Sequence, residues 1–391
     1  MTNTLQPAHR LLPIDLLRGI VMIIMALDHV RDYFHITAMT ADPLDPATTT
    51  PVLFFTRFIT HFCAPVFVFL AGTSVFLAGQ KLSKQQLSAL LLKRGLVLML
   101  MEIVIFNLLF SFDPLYRFLG LQVIWVTGLS MVLMSGLIYL RLRTLFIIGL
   151  IVVAGHNLLD HFNSKPGEVI PLWWGILHQQ YFANYAPGRF FGVMYPLLPW
   201  PGVMILGYCL GSWYTSADPA QRIKLLKKTG LLVTLAFFIL RWVNIYGDPN
   251  PWTSQHDHLA TVLSFFNVTK YPPSLQYLCI TIGPALILLA WLEKAKGAWT
   301  NIVVVYGRVP MFYYLLHFFL IHVLCTIAFL LSGRPMADAF TGMMAFRPND
   351  FGFSLGVVYL IWIFVVAVLY KPCKWYGQYK AAHRKWWLTY L

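Results

Sequence analysis

At 391 residues, 58% of them hydrophobic and only 11% charged, with a mean hydropathy of +0.67, the chain is too apolar to cover its own surface in water. An ordinary soluble domain carries about 25% charged residues, so lipid must be part of the solvent here. The net charge of +14 does not point to nucleic acid, because the lysines and arginines gather in short segments between apolar runs.

This composition predicts an all-α polytopic membrane protein: one integral helix bundle over residues 1–391, ending in a basic aromatic cytoplasmic tail at 371–391. Ten apolar segments are expected near 12–34, 52–79, 91–110, 119–140, 143–160, 199–215, 229–246, 274–292, 302–328 and 352–370. Crossing the hydrocarbon takes about 20 residues, so the sixth segment, opened by "WPG", reads as a broken or tilted helix. The stretch "IPLWWGILHQQYF" is either interfacial or part of an eleventh span. The basic segments are Lys81–Arg94, Arg141–Arg143, "QRIKLLKK", Lys294–Lys296 and the tail with Trp375, Tyr376, Trp386 and Trp387. All fall on one side of a ten-span arrangement, which places both termini in the cytoplasm. The long connection 246–273 is a candidate lid or substrate surface on the other side.

Neither the termini nor the cysteines add chemistry. Asp15 and Arg18 open the first run and no cleavable signal peptide is expected. Cys63, Cys209, Cys279, Cys325 and Cys373 form no CxxC pair, and no metal site is predicted.

The first run, "DLLRGIVMIIMALDHVRDYFH", carries the main signal. Eleven residues from Arg18 to His29 are three turns plus about 20°, so both face nearly the same way with Cα atoms about 16 Å apart. One stripe thus holds Asp15, Arg18, Met22, Met25, His29 and Asp32, with Asp28 and Arg31 flanking it. Charges in a membrane helix are costly and usually face a bundle interior or a wet cavity. The bland reading is an interfacial pair at one end and solvated charges at the other. The functional reading is a polar path through the bundle with His29 at its mouth. Other runs add His61, then His156, Asn157, Asp160 and His161, then Arg308, Tyr313, Tyr314, His317 and His322. Axial haem ligation by two of these histidines is a minor alternative, since no spacing forces a facing pair.

The motif "IDLLRGIVMIIMALDHVRDYFH" resembles the opening helix of the heparan-α-glucosaminide N-acetyltransferase-like membrane family, its bacterial branch especially. "APVFVFLAGTSVFL", "LGLQVIWVTGLSMVLM", "LLPWPGVMILGYCLG" and "YGRVPMFYYLLH" resemble later family segments in order, over about residues 10–330. The resemblance implies acetyl-CoA-dependent O- or N-acyl transfer from the cytoplasm to an amino sugar or glycan outside, in a bacterial inner membrane. Arg18 through His29 match the arginine or lysine, ten residues, histidine motif of the broader membrane acyltransferases. His29 is then general base or transient acyl carrier. Asp32 or Asp160 could orient its ring, and Asp28 is turned about 100° away. Catalytic candidates are therefore His29, Asp32, Asp28, His61, Asn157 and Asp160; cofactor-binding candidates are Arg18, Arg308, Tyr314 and His317. Arg18 and Arg308 would hold the coenzyme's phosphates, and Asn157 or Tyr314 a developing oxyanion. Expected partners are membrane lipids and an extracytoplasmic sugar or glycan acceptor, with a homodimer left open and nothing calling for nucleic acid. A transporter or flippase for a polar substrate is the competing reading, and matching interrupted helices in the two halves would favour it.

Overall fold

The structure is a computed structural model describing residues 11–383 and 385–389, with the backbone alone at Trp386 and Thr389. Helix α1 (Leu12–Phe34) is followed by α2 (Pro51–Thr60), α3 (Cys63–Gly79) and α4 (Lys84–Met101). A π-helical turn at Glu102–Phe106 leads into α5 (Asn107–Ser111), then strand β1 (Phe118–Leu121), α6 (Val123–Leu137) and α7 (Leu142–Gly155). After a 3-10 turn at His156–Phe162 come α8 (Leu172–Leu177), β2 (Tyr181–Ala186) and β3 (Arg189–Val193). The remainder is α9 (Trp200–Gly211), α10 (Trp213–Ser216), α11 (Pro219–Val243), α12 (His258–Phe266), α13 (Leu275–Leu292), α14 (Ala298–Arg308), α15 (Pro310–Leu331) and α16 (Leu355–Ala382).

Local chemistry explains the boundaries. Thr50, Ser83, Asp218 and Ser274 each cap a helix by accepting from a backbone N–H three residues on. The run expected at 302–328 breaks at Val309 (φ −132°, ψ 50°), because the ring of Pro310 disfavours helical geometry in the residue before it. The run at 52–79 is interrupted between α2 and α3. Pro65 has no N–H to offer the His61 carbonyl, which accepts from the Tyr277 hydroxyl at 2.8 Å instead.

Two expectations change. By length and composition, five helical stretches among the described residues can cross a membrane, not ten or eleven: Pro51–Gly79, Leu142–Phe162, Leu275–Leu292, Pro310–Leu331 and Leu355–Ala382. Charges within α1, α4 and α11, and the 15 and 12 residues of α6 and α9, keep those helices below that standard. Residues 165–200 hold no helix longer than the six residues of α8, so they supply no further span. The second change is a three-stranded sheet in a chain expected to be all helix. Strand β3 pairs parallel with β1 and antiparallel with β2, turning at Gly188 (φ +67°). The segment expected as a tail begins as the last turns of α16; Arg384, Tyr390, Leu391 and the Trp386 side chain lie outside the described residues.

The protein is an integral membrane protein, and its burial pattern fits that solvent. Of the apolar window of α13, 72% is buried, against 17% for α16, so α13 is interior and α16 peripheral. Phe146, Ile147, Leu150 and Ile151 on α7, and Leu231, Leu235, Phe238 and Ile239 on α11, are exposed at helical spacing, an apolar rim that lipid covers. Helix α1 lies inside, packed on α3, α13, α14, α15 and α16. It approaches α14 closely: a Cβ on Gly307 would lie 1.8 Å from the Asp15 carbonyl oxygen, and one on Gly19 would lie 2.2 Å from that of Val303. Small residues permit such crossings between membrane helices.

At the other end, Arg241 organises the 244–274 connection. Its buried guanidinium donates to the carbonyls of Asn250, Ser264, Phe265 and Asn267 at 2.7–3.0 Å. This buried cation, satisfied by backbone, sets the loop that later carries Lys270.

The α1–α14 crossing gives a stability test. Gly307→Val should cost at least about 1–3 kcal/mol through overpacking, read as a lower melting temperature or loss of the monodisperse peak in detergent. Substitution of Gly136, which has open space around it, should change neither.

Candidate active site

Helix α1 delivers His29 to α15. The Nδ1 of His29 lies 2.6 Å from the Nε2 of His317, with the two rings nearly parallel. The other nitrogen of His317, Nδ1, is 2.9 Å from the Tyr313 carbonyl one turn earlier. A carbonyl only accepts, so His317 Nδ1 carries the hydrogen, and in the neutral ring Nε2 is left as an acceptor. His29 therefore donates through Nδ1, which leaves its Nε2 lone pair free. Phe318, 4.2 Å from the His29 ring, and Tyr314, 6.0 Å away, hold the imidazole from other sides. The partner that orients the His29 ring is thus a histidine, where a carboxylate from Asp32 or Asp160 was expected.

The next face of α1 buries charge. Asp28 accepts from Arg57 Nη1 at 2.5 and 2.6 Å and from Arg31 at 3.2 Å, and lies 3.6 Å from Lys270 Nζ. Asp32 pairs with Arg31 at 2.6 Å rather than with the histidine. Three cations meet two carboxylates, leaving one positive charge in excess beside His29. In the loop, burial pushes the Tyr271 phenol up, but Lys270, Arg57 and a hydrogen bond with Tyr195 act against it, and the phenol is held below the ordinary tyrosine range.

Two cavities meet at this point. The wide one, about 600 Å³, is walled by Asp28, Arg57, His61, Gln180, Asn250 and Asn267 among others, and roofed by the 267–271 loop. The narrow one, about 40 Å³, runs from His29 past Met25, Ala64, Phe67 and Tyr314. Asp28, His29, Gln122, Tyr195 and Lys270 line both. Beyond the narrow cavity, toward the start of α1, Met22 is fully buried.

The remaining expected residues divide. His61 walls the wide cavity, its ring nitrogens buried without a partner. Arg18 lies at the far end of α1, bonded to Asp15 at 3.1 Å, to Ser74 Oγ at 2.8 Å and to the Gly307 carbonyl at 3.2 Å. Arg308 joins it through Asp15 at 4.0 Å. Tyr314 and His317, grouped with these arginines from the sequence, instead stand beside His29. Asn157 and Asp160 form a separate cluster: Asn157 donates to Asp160 at 2.8 Å and accepts from the Leu275 N–H, and Asp160 pairs with His178 at 3.0 Å. Neither lines the two cavities, because the turn after α7 directs them toward α8 and α13. His35 is held by Thr37 at 3.0 Å, away from His29. Sequence reasoning overlooked Arg57 and did not assign Lys270 to the site. An arginine inside the apolar run "PVLFFTRFITHF" was the available signal for Arg57; Lys270, in a loop, gave none.

The fold and the site define, by class, a helical membrane protein with an oriented imidazole between two cavities. Residues 10–246 match the family described as heparan-alpha-glucosaminide N-acetyltransferase, catalytic, and the chain belongs to that family. It is thus an acetyltransferase-like membrane enzyme. No curated protein matches the chain. The matched span contains Asp28, His29, Arg57, Gln122 and Tyr195, while Lys270, Tyr314 and His317 lie after it.

Removing the central carboxylate should be severe. Asp28→Ala leaves Arg57 and Lys270 buried without their carboxylate and should destabilise by about 3–5 kcal/mol, read by thermal unfolding in detergent. Asp42→Ala, at the exposed rim of the wide cavity, should leave the transition unchanged.

Proposed function

We propose that the protein moves an acetyl group from cytoplasmic acetyl-CoA to an amino sugar or glycan on the opposite side of the membrane, with His29 as general base. The observation that carries this is the position of His29, with a free Nε2, where a wide polar cavity meets a narrow one. In this reading both termini are cytoplasmic, the membrane is a bacterial inner membrane, and α1, α4, α6, α9 and α11 sit within the bilayer beside the five apolar stretches.

Arg18 and Arg308 then lie at the cytoplasmic end, where guanidinium groups suit the coenzyme's phosphates. The pantetheine arm must displace Met22 and Met25, whose unbranched side chains re-pack easily. The acceptor enters the wide cavity and gives a proton from its amine or hydroxyl to His29 Nε2 as its heteroatom attacks the thioester carbonyl. The carbonyl oxygen becomes an oxyanion, and the Lys270 ammonium is the cation at the junction of the cavities able to stabilise it. When the C–S bond breaks, the leaving sulfur takes the proton back from His29. Throughout, His317 accepts from Nδ1 and keeps the ring aimed.

Acetyl transfer from radiolabelled acetyl-CoA to a panel of amino sugars and cell-wall fragments, with the protein in nanodiscs, tests this. His29→Ala should reduce turnover by about 10²–10⁴-fold with coenzyme binding retained. His317→Gln, which keeps an acceptor oxygen for Nδ1–H, should retain more turnover than His317→Leu at similar KM. Transfer undiminished in His29→Ala would move the base to another residue, with His61 next. Absence of both coenzyme binding and labelled product would favour the transporter reading.

A further inference from the structure

A cleft of about 280 Å³ opens beside the wide cavity and meets it at Met343, which lines both. Ligand sites generally measure about 300–1,000 Å³, so the cleft falls short of a site by itself and extends its neighbour. The small sheet builds it. Parallel pairing of β1 with β3 sets Phe118 opposite Phe190, their rings stacked 6.1 Å apart. Arg117, just before β1, accepts from the Phe190 N–H through its carbonyl at 2.7 Å. Its guanidinium lies 4.9 Å over the Phe340 ring and 3.6 Å from the Asp113 carboxylate. Asp113 also accepts from the N–H groups of Leu115 and Arg117 at 3.1 Å, so the charged pair is pinned by the backbone.

A row of rings joins this cleft to His29. Phe318 is 4.2 Å from the imidazole, Phe110 is 6.3 Å from Phe318, and Phe118 is 5.9 Å from Phe110. An aromatic wall with a fixed guanidinium–carboxylate pair at its edge offers both parts of sugar recognition. The rings cover the C–H face of a pyranose, while the pair donates to and accepts from its hydroxyls. A purely apolar occupant would leave Arg117 and Asp113 desolvated without new partners, which is costly.

We propose that the cleft is a second saccharide subsite. The acceptor is an oligosaccharide whose terminal unit is acylated at His29 and whose next unit lies in the cleft against Phe190, Phe340 and the Arg117–Asp113 pair. The inference rests on the sugar-acceptor reading above and deepens it.

Binding of glucosamine and of the fully deacetylated chitosan dimer and trimer to the nanodisc-embedded protein tests the subsite without turnover. The dimer should bind about tenfold more tightly than the monomer, a difference well within reach of a few hydrogen bonds, and the trimer little better than the dimer. Arg117→Ala and Phe340→Ala, both at partly exposed side chains, should each bring dimer affinity down to that of the monomer and leave the monomer's unchanged. Equal affinities for monomer and dimer, variants that weaken both alike, or no binding of any of the three would overturn the subsite. Preferential dimer binding without acetyl transfer would support the subsite and overturn the acyl-transfer reading instead.

Discussion

Taking a cation out of water costs several kcal/mol even after the protein relaxes around it, and this bundle does so three times in one place. Arg31, Arg57 and Lys270 converge on Asp28 from α1, α2 and the loop before α13. Arg31 has Asp32 as a second partner, but Arg57 and Lys270 pair with Asp28, so neither α2 nor the loop can shift without leaving a buried charge unpaired. His29 takes its place from that constraint. As the next residue on α1 it is turned about 100° from the charged face, which aims it at α15, where His317 receives it.

The choice of a histidine as partner has a chemical consequence. Asp28 and Asp32 are committed to cations, and a further carboxylate on α15 would bring a new buried charge requiring its own counter-ion. His317 orients the His29 ring while adding no fixed charge, and its tautomer is set by a backbone carbonyl that side-chain substitution leaves in place. The excess positive charge around Asp28 is then left facing the cavities at Lys270, where negative charge develops in an acyl transfer.

Much of α1 was legible in the sequence because helical periodicity is a local property. The spacing of Arg18 and His29 placed them toward opposite ends of one stripe, and the structure keeps Arg18 with Ser74 and His29 with His317. The partner itself was not legible: Asp32 and His317 are equally plausible ring partners until the packing of α15 on α1 is known. Asn157 and Asp160 had the right residue types at a compatible depth, but depth alone carries no azimuth, and their helix turns them away. The strands escaped notice because "YFANYA" and "RFFGV" are short and set their aromatic residues side by side, so alternation of polar and apolar residues did not mark them. The number of apolar runs likewise overstated the helices that reach spanning length, since periodicity does not report where charges interrupt a run.

The meeting of two cavities at a single imidazole also bears on energetics across the bilayer. With donor and acceptor on opposite faces, as proposed, the acetyl group travels outward while the proton removed from the acceptor leaves inward on the coenzyme thiol. The His29–His317 contact, made through a single shared hydrogen, can carry one such proton at a time, because two protonated rings would oppose N–H to N–H. Each transfer would then be electroneutral, because the sulfur exchanges an acyl-cation equivalent for a proton and the coenzyme carries the same charge before and after. A membrane potential, which does work only on net charge that crosses it, would neither drive nor oppose the reaction, leaving glycan acylation outside the cell answerable to the cytoplasmic supply of acyl thioester.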